Sequence, residues 1–186
     1  MGGMIVQRLA IDHPDRLFTM TSVMSRTGED GFGGSAPEAL AFLSAPPAAS
    51  REAYIDSHVA AIAVYGSRPE WIDEADTRAR AAAAFDRCFY PAGIGRQMQA
   101  VLGDPPRVDA LRDVTVPTLV LHGSRDNLID ASGGRRTAEI IPGARYAEIE
   151  GMGHDYPPAV WDQWVATWAE FAGPSGAQGP SRPPGT

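Results

Sequence analysis

Residues 114–130 read VTVPTLVLHGSRDNLID, and this stretch decides the fold class. Its apolar run from Val114 to Leu121 is too continuous for a strand with one face in water, so it predicts a parallel strand covered on both faces. Pro117 stands at the mouth of that strand, where a missing backbone donor is tolerated. The polar loop that follows would lie at the carboxyl edge of the sheet, where open α/β folds place their sites.

A second polar loop follows the next predicted strand. Residues 133–141 read as a helix, residues 144–150 (ARYAEIE) alternate like a strand near the edge of the sheet, and GMGHDYP follows at 151–157. If the sheet is parallel, the two loops share one crevice. A buried carboxylate can hold a histidine in one tautomer and stabilise its charged form, so Asp126 and His154 could form the general-base half of a nucleophilic triad.

Other polar residues near these loops have ordinary interpretations. His122 at the end of the first strand is expected to be a hydrogen-bonded neighbour of the site rather than a catalytic group. Asp130 is the second candidate for the acid but is expected to belong to the start of the next helix. Asp155 is expected to face solvent or cap a backbone group. Cys88 is expected to pack among the helices, and Arg135 with Arg136 to form a solvated helix start.

The two ends of the chain complete the predicted core. Met4, Ile5 and Leu9 fall on one stripe opposite Gln7, which predicts a half-buried helix from Gly2 to about Ile11. Residues 16–25 (RLFTMTSVMS) have strand length and are partly β-branched. A last helix carries one apolar face that is predicted to pack on the sheet, formed by Val160, Trp161, Trp164, Val165, Trp168 and Phe171.

Four segments follow from these patterns. Residues 1–35 hold the first helix and strand of the core, residues 36–108 form an inserted helical cap broken by Pro and Gly, and residues 109–172 form the C-terminal core. Residues 173–186 are rich in Gly, Pro and Ser and are predicted to be disordered.

Composition narrows the function. The chain has 186 residues and a net charge of -7, which leaves no basic surface for nucleic acid or an anionic membrane. One cysteine excludes an internal disulfide and a thiolate zinc cluster, so no metal is expected. No apolar stretch approaches the roughly 20 residues of a spanning helix, and no leader is recognised. A cytoplasmic protein with a small-molecule partner is expected.

The segment VPTLVLHGSRDNLID (116–130), followed by GARYAEIEGMGHDYP (143–157), resembles the last third of α/β-hydrolase-fold serine hydrolases. Three cap segments resemble the aclacinomycin methylesterase-like group: APEALAFLSAPP (36–47), REAYIDSHVAA (51–61) and FDRCFYPAGIGRQMQAVL (85–102). The resemblance implies a partial α/β-hydrolase fold, with a mostly parallel sheet and an inserted helical cap. It also implies that Asp126 is the triad acid, that His154 is the base, and that no cofactor is used.

The resemblance bears on the first residues as well. The nucleophile elbow of these hydrolases reads G-x-S-M-G-G, and this chain begins with MGG. The serine would stand just before Met1, whose backbone nitrogen would be one of two oxyanion donors, and the chain itself would hold no nucleophile. We therefore expect a C-terminal portion that lacks the N-terminal strands and is inactive alone. Both RLFTMTSV and TLVLH are expected to leave an unpaired sheet edge.

The function implied by the resemblance is hydrolysis of a carboxylic ester, in particular a methyl ester, by a Ser-His-Asp mechanism. Two alternatives stay open: a non-catalytic fragment or split protein completed by an N-terminal segment, and a haloperoxidase- or dehalogenase-like hydrolase of the same fold. Six cap aromatics could line an apolar substrate pocket: Tyr54, Tyr65, Trp71, Phe85, Phe89 and Tyr90.

Overall fold

A computed structural model describes residues 1–173, so the predicted disordered tail lies, from residue 174 onward, outside the described residues. The helices and strands follow one another in this order: α1 (Gly2–Asp12), β1 (Met20–Val23), α2 (Pro37–Leu43), α3 (Arg51–Tyr65), α4 (Glu74–Arg87), α5 (Pro91–Gly103), α6 (Val108–Arg112), β2 (Thr118–Gly123), α7 (Ser132–Ile140), β3 (Arg145–Ile149) and α8 (Trp161–Ala172).

The sheet has three parallel strands in the order β1, β2, β3. Strand β2 is buried along its whole length, which confirms the strand predicted from its continuous apolar run. Leu121 of β2 lies opposite Val23 on one side and Ala147 on the other. The prediction that TLVLH leaves an unpaired edge is therefore wrong, because both of its sides are paired. Strand β1 does lie at an edge of the described sheet.

The buried face of α1 differs from the predicted stripe. Met4 is buried as expected, but Ile5 is exposed and Gln7 is completely buried. Gln7 donates to the Ser22 hydroxyl at 3.0 Å and accepts from the Arg107 guanidinium at 3.0 Å. Burying the Gln7 amide costs little free energy because both its N–H and its oxygen have hydrogen-bond partners. These hydrogen bonds, rather than the apolar periodicity, therefore determine which face of α1 is buried.

Helix α8 also buries a narrower face than predicted. Val160, just before the helix, and Phe171 are buried, while Trp161, Val165 and Trp168 are exposed. Val160 and Phe171 are 11 residues, or about three turns, apart and so lie on nearly the same line along the helix. Trp161, Val165 and Trp168 point roughly 70–130° away from that line. The predicted stripe was therefore too wide, and two tryptophans assigned to the core lie on the surface.

Two apolar clusters support the sheet. One joins α1, β1, α6 and α7 around Leu111 and Ile141. The other contains Leu121, Ile149 and Met152 and lies beneath the loops that follow β2 and β3. The packed side chains of this cluster therefore support the two loops.

Residues 36–108 contain helices and no strand, in agreement with the sequence pattern. Helices α3 and α4 pack against each other. Cys88 is exposed at the end of α4, so the expectation that it packs among the helices is wrong. No helix within residues 1–173 is long and apolar enough to cross a membrane.

The two faces of α8 can be separated by mutation. Phe171→Ala should lower the free energy of unfolding by about 3–5 kcal/mol, because it opens a cavity under the helix. Trp168→Ala, on the exposed face, should change it by less than about 1 kcal/mol. Urea unfolding of residues 1–186, followed by circular dichroism, measures both. Equal losses would contradict the assigned orientation of α8.

Candidate active site

The two polar loops meet because parallel strands end at the same edge of a sheet. The Arg125 N–H donates to the Met152 carbonyl at 2.9 Å, and the Gly151 N–H donates to the Ser124 hydroxyl at 2.9 Å. The loop after β2 is therefore bonded directly to the loop after β3. This is the juxtaposition that the order of strands and helix in the sequence predicts for a parallel sheet.

Three glycines allow the backbones to approach this closely. A Cβ atom at Gly123 would overlap the Met152 carbonyl, and a Cβ atom at Gly153 would overlap the backbone of Gly66. Gly66 ends α3, so the third segment in this three-glycine contact comes from the cap. Any larger side chain at position 153 would push the histidine loop away from α3.

The end of α3 holds both loops by hydrogen bonds. The His154 N–H donates to the Tyr65 carbonyl at 2.7 Å, and the Asn127 side-chain amide donates to the Val64 carbonyl at 3.2 Å. The buried Ser67 hydroxyl donates to the Asp155 carboxylate at 2.5 Å and accepts from the Gly153 N–H at 2.9 Å. The histidine loop is thus fixed to the cap on both sides of His154.

Asp126 is a buried carboxylate with several donors. Its Oδ1 accepts from the Leu128 and Ile129 N–H groups at 2.9 and 2.8 Å, and its Oδ2 faces His154 Nδ1 at 2.7 Å and His122 Nε2 at 3.4 Å. Burial alone would raise the pKa of Asp126, but the hydrogen bonds from the two histidines and from Ile129, with the charge of His154, hold that pKa below its usual value. The carboxylate is therefore ionised at neutral pH.

The contact with Asp126 fixes the His154 ring. A carboxylate accepts, so Nδ1 carries a proton and Nε2 is left as the basic nitrogen of the neutral ring. The side chain remains 24% exposed, and Nε2 bonds to no group within residues 1–173. The Tyr65 ring stands edge-on to the imidazole, with centroids 6.4 Å apart. The arrangement is that of a general base oriented by a buried acid.

His122 is a buried neighbour of Asp126. Its Nε2 lies 2.8 Å from the Ile129 carbonyl as well as facing Asp126, and both partners are acceptors, so Nε2 carries the proton. Its Nδ1 has no partner among the described residues, and a Cβ atom at Gly134 would collide with it. The ring is fully buried. This geometry agrees with a hydrogen-bonded neighbour of the site.

Met1 lies at the start of α1, and its carbonyl accepts from the Ile5 N–H at 3.1 Å. Gly3 packs so tightly on Ser25, just past β1, that a Cβ atom at position 3 would overlap that side chain. Gly3 therefore serves close packing, whereas a Cβ atom at Gly2 would meet open space. The oxyanion role of Met1 stays a prediction.

The remaining polar candidates have structural partners. Asp130 accepts from the Ser132 N–H at 2.9 Å at the start of α7, and Asp155 caps the Ser67 N–H at 3.0 Å. Arg135 pairs with Glu148, and Arg136 pairs with Glu29. Within residues 1–173, no group of three or more His, Cys, Asp or Glu side chains is arranged to hold a metal ion.

Sequence reasoning missed Ser67 and the end of α3. The signal was weak: a glycine and a serine before Arg68-Pro69 mark a turn, but nothing in the pattern says that this turn contacts the histidine loop.

Of the six cap aromatics, Tyr54, Tyr65 and Phe89 line a cavity beside the site. Trp71 instead packs on the cluster beneath the loops.

No family model matches the chain. Rhodomycin D methylesterase DauP from Streptomyces sp. (strain C5) is 27% identical over 188 residues, and rhodomycin D methylesterase DnrP from Streptomyces peucetius is 28% identical over 189 residues. Each alignment covers 89% of this chain and 62% of the relative. The chain therefore spans less than two thirds of the length of these curated relatives.

Solved structures share the fold. A meta-cleavage product hydrolase from Pseudomonas fluorescens IP01 superimposes with a TM-score of 0.72 at 15% identity, over 91% of this chain and 60% of its own. An N-acyl homoserine lactone degrading enzyme gives 0.68 at 26%, over 91% and 64%. The enol-lactonase from Burkholderia xenovorans LB400 gives 0.68 at 22%, over 92% and 62%. The chain thus has part of the α/β-hydrolase fold and resembles the methylesterase group, as its motifs predict.

The close contact at Gly66, Gly123 and Gly153 predicts how substitutions change the free energy of unfolding. Gly153→Ala should lower the free energy of unfolding by about 1–3 kcal/mol, because the new methyl group meets rigid backbone. Gly95→Ala is the control: it lies inside α5 with open space around it and should raise the free energy of unfolding by about 0.5–1 kcal/mol. Thermal and urea unfolding measure both. A neutral Gly153→Ala would contradict the contact.

The lowered pKa of Asp126 predicts how the stability of the fold depends on pH. Its stabilising contribution is present above the unfolded-state pKa, near 4, and is lost as pH falls through the lower folded-state pKa. Asp126→Asn should therefore be less stable than wild type at pH 7, and the difference should narrow as pH falls from about 5 toward 3. Urea unfolding at each pH measures it. Asp30→Asn, at an exposed carboxylate, should show no such gap; a constant gap for Asp126→Asn would contradict the shift.

Proposed function

We propose that this chain carries the acid and the base of a serine-type carboxylic ester hydrolase, with Asp126 as the acid and His154 as the base. The single observation that supports the proposal most is the 2.7 Å contact between a buried, ionised Asp126 and Nδ1 of a half-buried His154. A lone solvated histidine would have no such partner. The similarity to rhodomycin D methylesterases supports the same chemistry.

In this proposal the nucleophile is a serine that stands immediately before Met1 in the intact protein. Its hydroxyl oxygen attacks the ester carbonyl carbon while His154 Nε2 takes the hydroxyl proton. His154 then gives that proton to the leaving alkoxide, and an alcohol departs. A water molecule attacks the resulting acyl-serine, again losing its proton to His154, and the acid is released as serine recovers its proton. Asp126 holds the ring in place and stabilises it while it is charged.

The negative oxygen of each tetrahedral intermediate needs fixed donors. The Met1 nitrogen is proposed as one of them, by the resemblance to the elbow motif. Its place at the first turn of α1, an 11-residue helix, supports this role, because the amino end of a helix carries partial positive charge. The second donor would come from the N-terminal part of the protein.

The substrate is proposed to be a small-molecule ester, and a methyl ester in particular. The proposal of a methyl ester is supported by the similarity to two methylesterases, whose length the chain only partly spans. No cofactor takes part in the proposed reaction. A cytoplasmic location stays a prediction, which cell fractionation would check.

An N-terminal complementing segment is the partner we propose for the catalytic state. Strand β1 pairs only with β2 among the described residues, so its other side offers unpaired backbone groups to a further strand. Ile5 and Leu9 on α1, a helix that contacts β1, and Phe18, two residues before β1, are exposed apolar side chains. A segment with a strand, the G-x-S elbow and the second oxyanion donor would cover the edge and complete the site.

The test joins this chain to an N-terminal hydrolase segment that ends in G-x-S, as a fusion or as two mixed chains. We expect hydrolysis of p-nitrophenyl acetate and of a methyl ester only when the serine is present. His154→Ala should then remove nearly all activity, and Asp126→Asn should lower kcat by roughly 10⁴-fold. His13→Ala, at an exposed histidine, is the control and should retain activity.

Three results would contradict the proposal. Activity in the joined protein that survives His154→Ala would remove His154 from the base role. Ester hydrolysis by residues 1–186 alone, abolished by His154→Ala, would show that a serine before Met1 is not required. A joined protein that folds but never hydrolyses esters would favour the non-catalytic alternative.

A further inference from the structure

A cleft of about 570 Å³ lies where the loop after β2, the loop after β3 and the turn after α3 meet. We refer to it as the arginine cleft, because Arg68 and Arg125 line it. Neither Asp126 nor His154 is among the described residues of its lining. The arginine cleft is therefore separate from the candidate active site, although the same two loops form part of it.

The Arg68 guanidinium is held in place by two neighbours. Its Cζ lies 4.4 Å from the centroid of the Trp71 ring, which is a cation–π contact. A Cβ atom at Gly151 would overlap Arg68 Nε, so the guanidinium also lies directly against the Gly151 backbone. In addition, the Arg68 backbone N–H donates to the Gly151 carbonyl at 2.9 Å. The position of this positive charge is therefore fixed by the fold.

The guanidinium groups of Arg68 and Arg125 have no hydrogen-bond acceptor within residues 1–173. Arg135, on the nearby helix α7, instead pairs with Glu148 at 2.6 Å, so carboxylates of this region can pair with arginine when they are in reach. An arginine presents five N–H donors in a planar fork, which matches two oxygens of a phosphate or carboxylate group. Two such forks in one cleft indicate a site for an oxyanion.

The rest of the lining is mostly polar. The Ser124 hydroxyl accepts from the Gly151 N–H at 2.9 Å, which leaves its own proton for a ligand. Glu70 and Glu150 also line the arginine cleft, and both are exposed, whereas Arg68 is half-buried. Water and salt screen exposed charges more strongly than partly buried ones. The two carboxylates should therefore lower the affinity for an anion without reversing the attraction of Arg68.

We propose that the arginine cleft binds a small phosphate dianion, with Arg68 and Arg125 donating to the phosphate oxygens and the Ser124 hydroxyl donating to a third. Two guanidinium groups match the two negative charges of a phosphate monoester, and arginine is well suited to bidentate recognition of phosphate. A bound phosphate would link the turn after α3 to the loop that carries Asp126. This inference does not depend on the proposed ester chemistry.

Isothermal titration calorimetry of residues 1–186 at pH 8 and constant ionic strength tests the inference. Inorganic phosphate should bind at one site, and acetate, which carries a single charge, should bind more weakly. Arg68→Gln should weaken phosphate binding by roughly tenfold or more, because charge-assisted hydrogen bonds are lost. Arg68→Lys keeps the charge without the planar fork and should recover only part of the affinity. Glu150→Gln should tighten binding.

The matched control is Arg16→Gln. Arg16 is exposed and, like Arg68, forms no ion pair with a carboxylate in the described part of the chain, but it lies outside the arginine cleft. This variant should bind phosphate as wild type does. Phosphate should also raise the Tm of wild type and of Arg16→Gln, but not that of Arg68→Gln.

Four outcomes would overturn the inference. Wild type could bind no phosphate, or bind acetate as tightly as phosphate. Arg68→Gln and the exposed Arg125→Gln, shown to be folded by circular dichroism, could both bind phosphate as wild type does. Arg16→Gln could lose as much affinity as Arg68→Gln, which would indicate unspecific attraction. Loss of phosphate binding in His154→Ala would place the anion at the candidate active site instead. Unchanged binding in His154→Ala is expected, so failure of the proposed ester chemistry and failure of the arginine cleft give different results.

Discussion

The site depends on the close backbone approach of three segments at Gly66, Gly123 and Gly153. Strand β2, the histidine loop and the end of α3 come together there with no room for a side chain. Because the backbones touch, hydrogen bonds can link the loops to each other and to the cap, including the bond from the His154 N–H to the Tyr65 carbonyl. The 2.7 Å contact between Asp126 and His154 is a consequence of this packing.

Burying the Asp126 carboxylate would be costly without partners, and the fold supplies them from several directions. Two backbone N–H groups of its own turn and two histidines surround it. A similar arrangement holds the buried Arg107, which bonds to Gln7, to Asp104 and to the Arg26 carbonyl. In both cases a buried charge fixes the relative position of separate segments, because breaking the pairing would leave an unpaired charge in the interior.

Residues of the helical cap also contribute to the candidate site. Helix α3 lines a cavity within residues 36–108. Tyr65 at its end and Ser67 just beyond it hold the loop of His154 by hydrogen bonds. A displacement of α3 would therefore also displace His154.

The sequence by itself determined the strong local signals: the buried strand β2, the parallel order of strand, helix and strand, and the two loops that carry Asp126 and His154. These follow from periodicity and chain order, which need no knowledge of distant contacts. It did not determine which face of α1 or α8 is buried, the central position of β2, or the hydrogen bonds that Ser67 makes to the histidine loop. Tertiary structure alone decided these, because a buried polar residue such as Gln7 is stable only when its partners, far away in the chain, are in place.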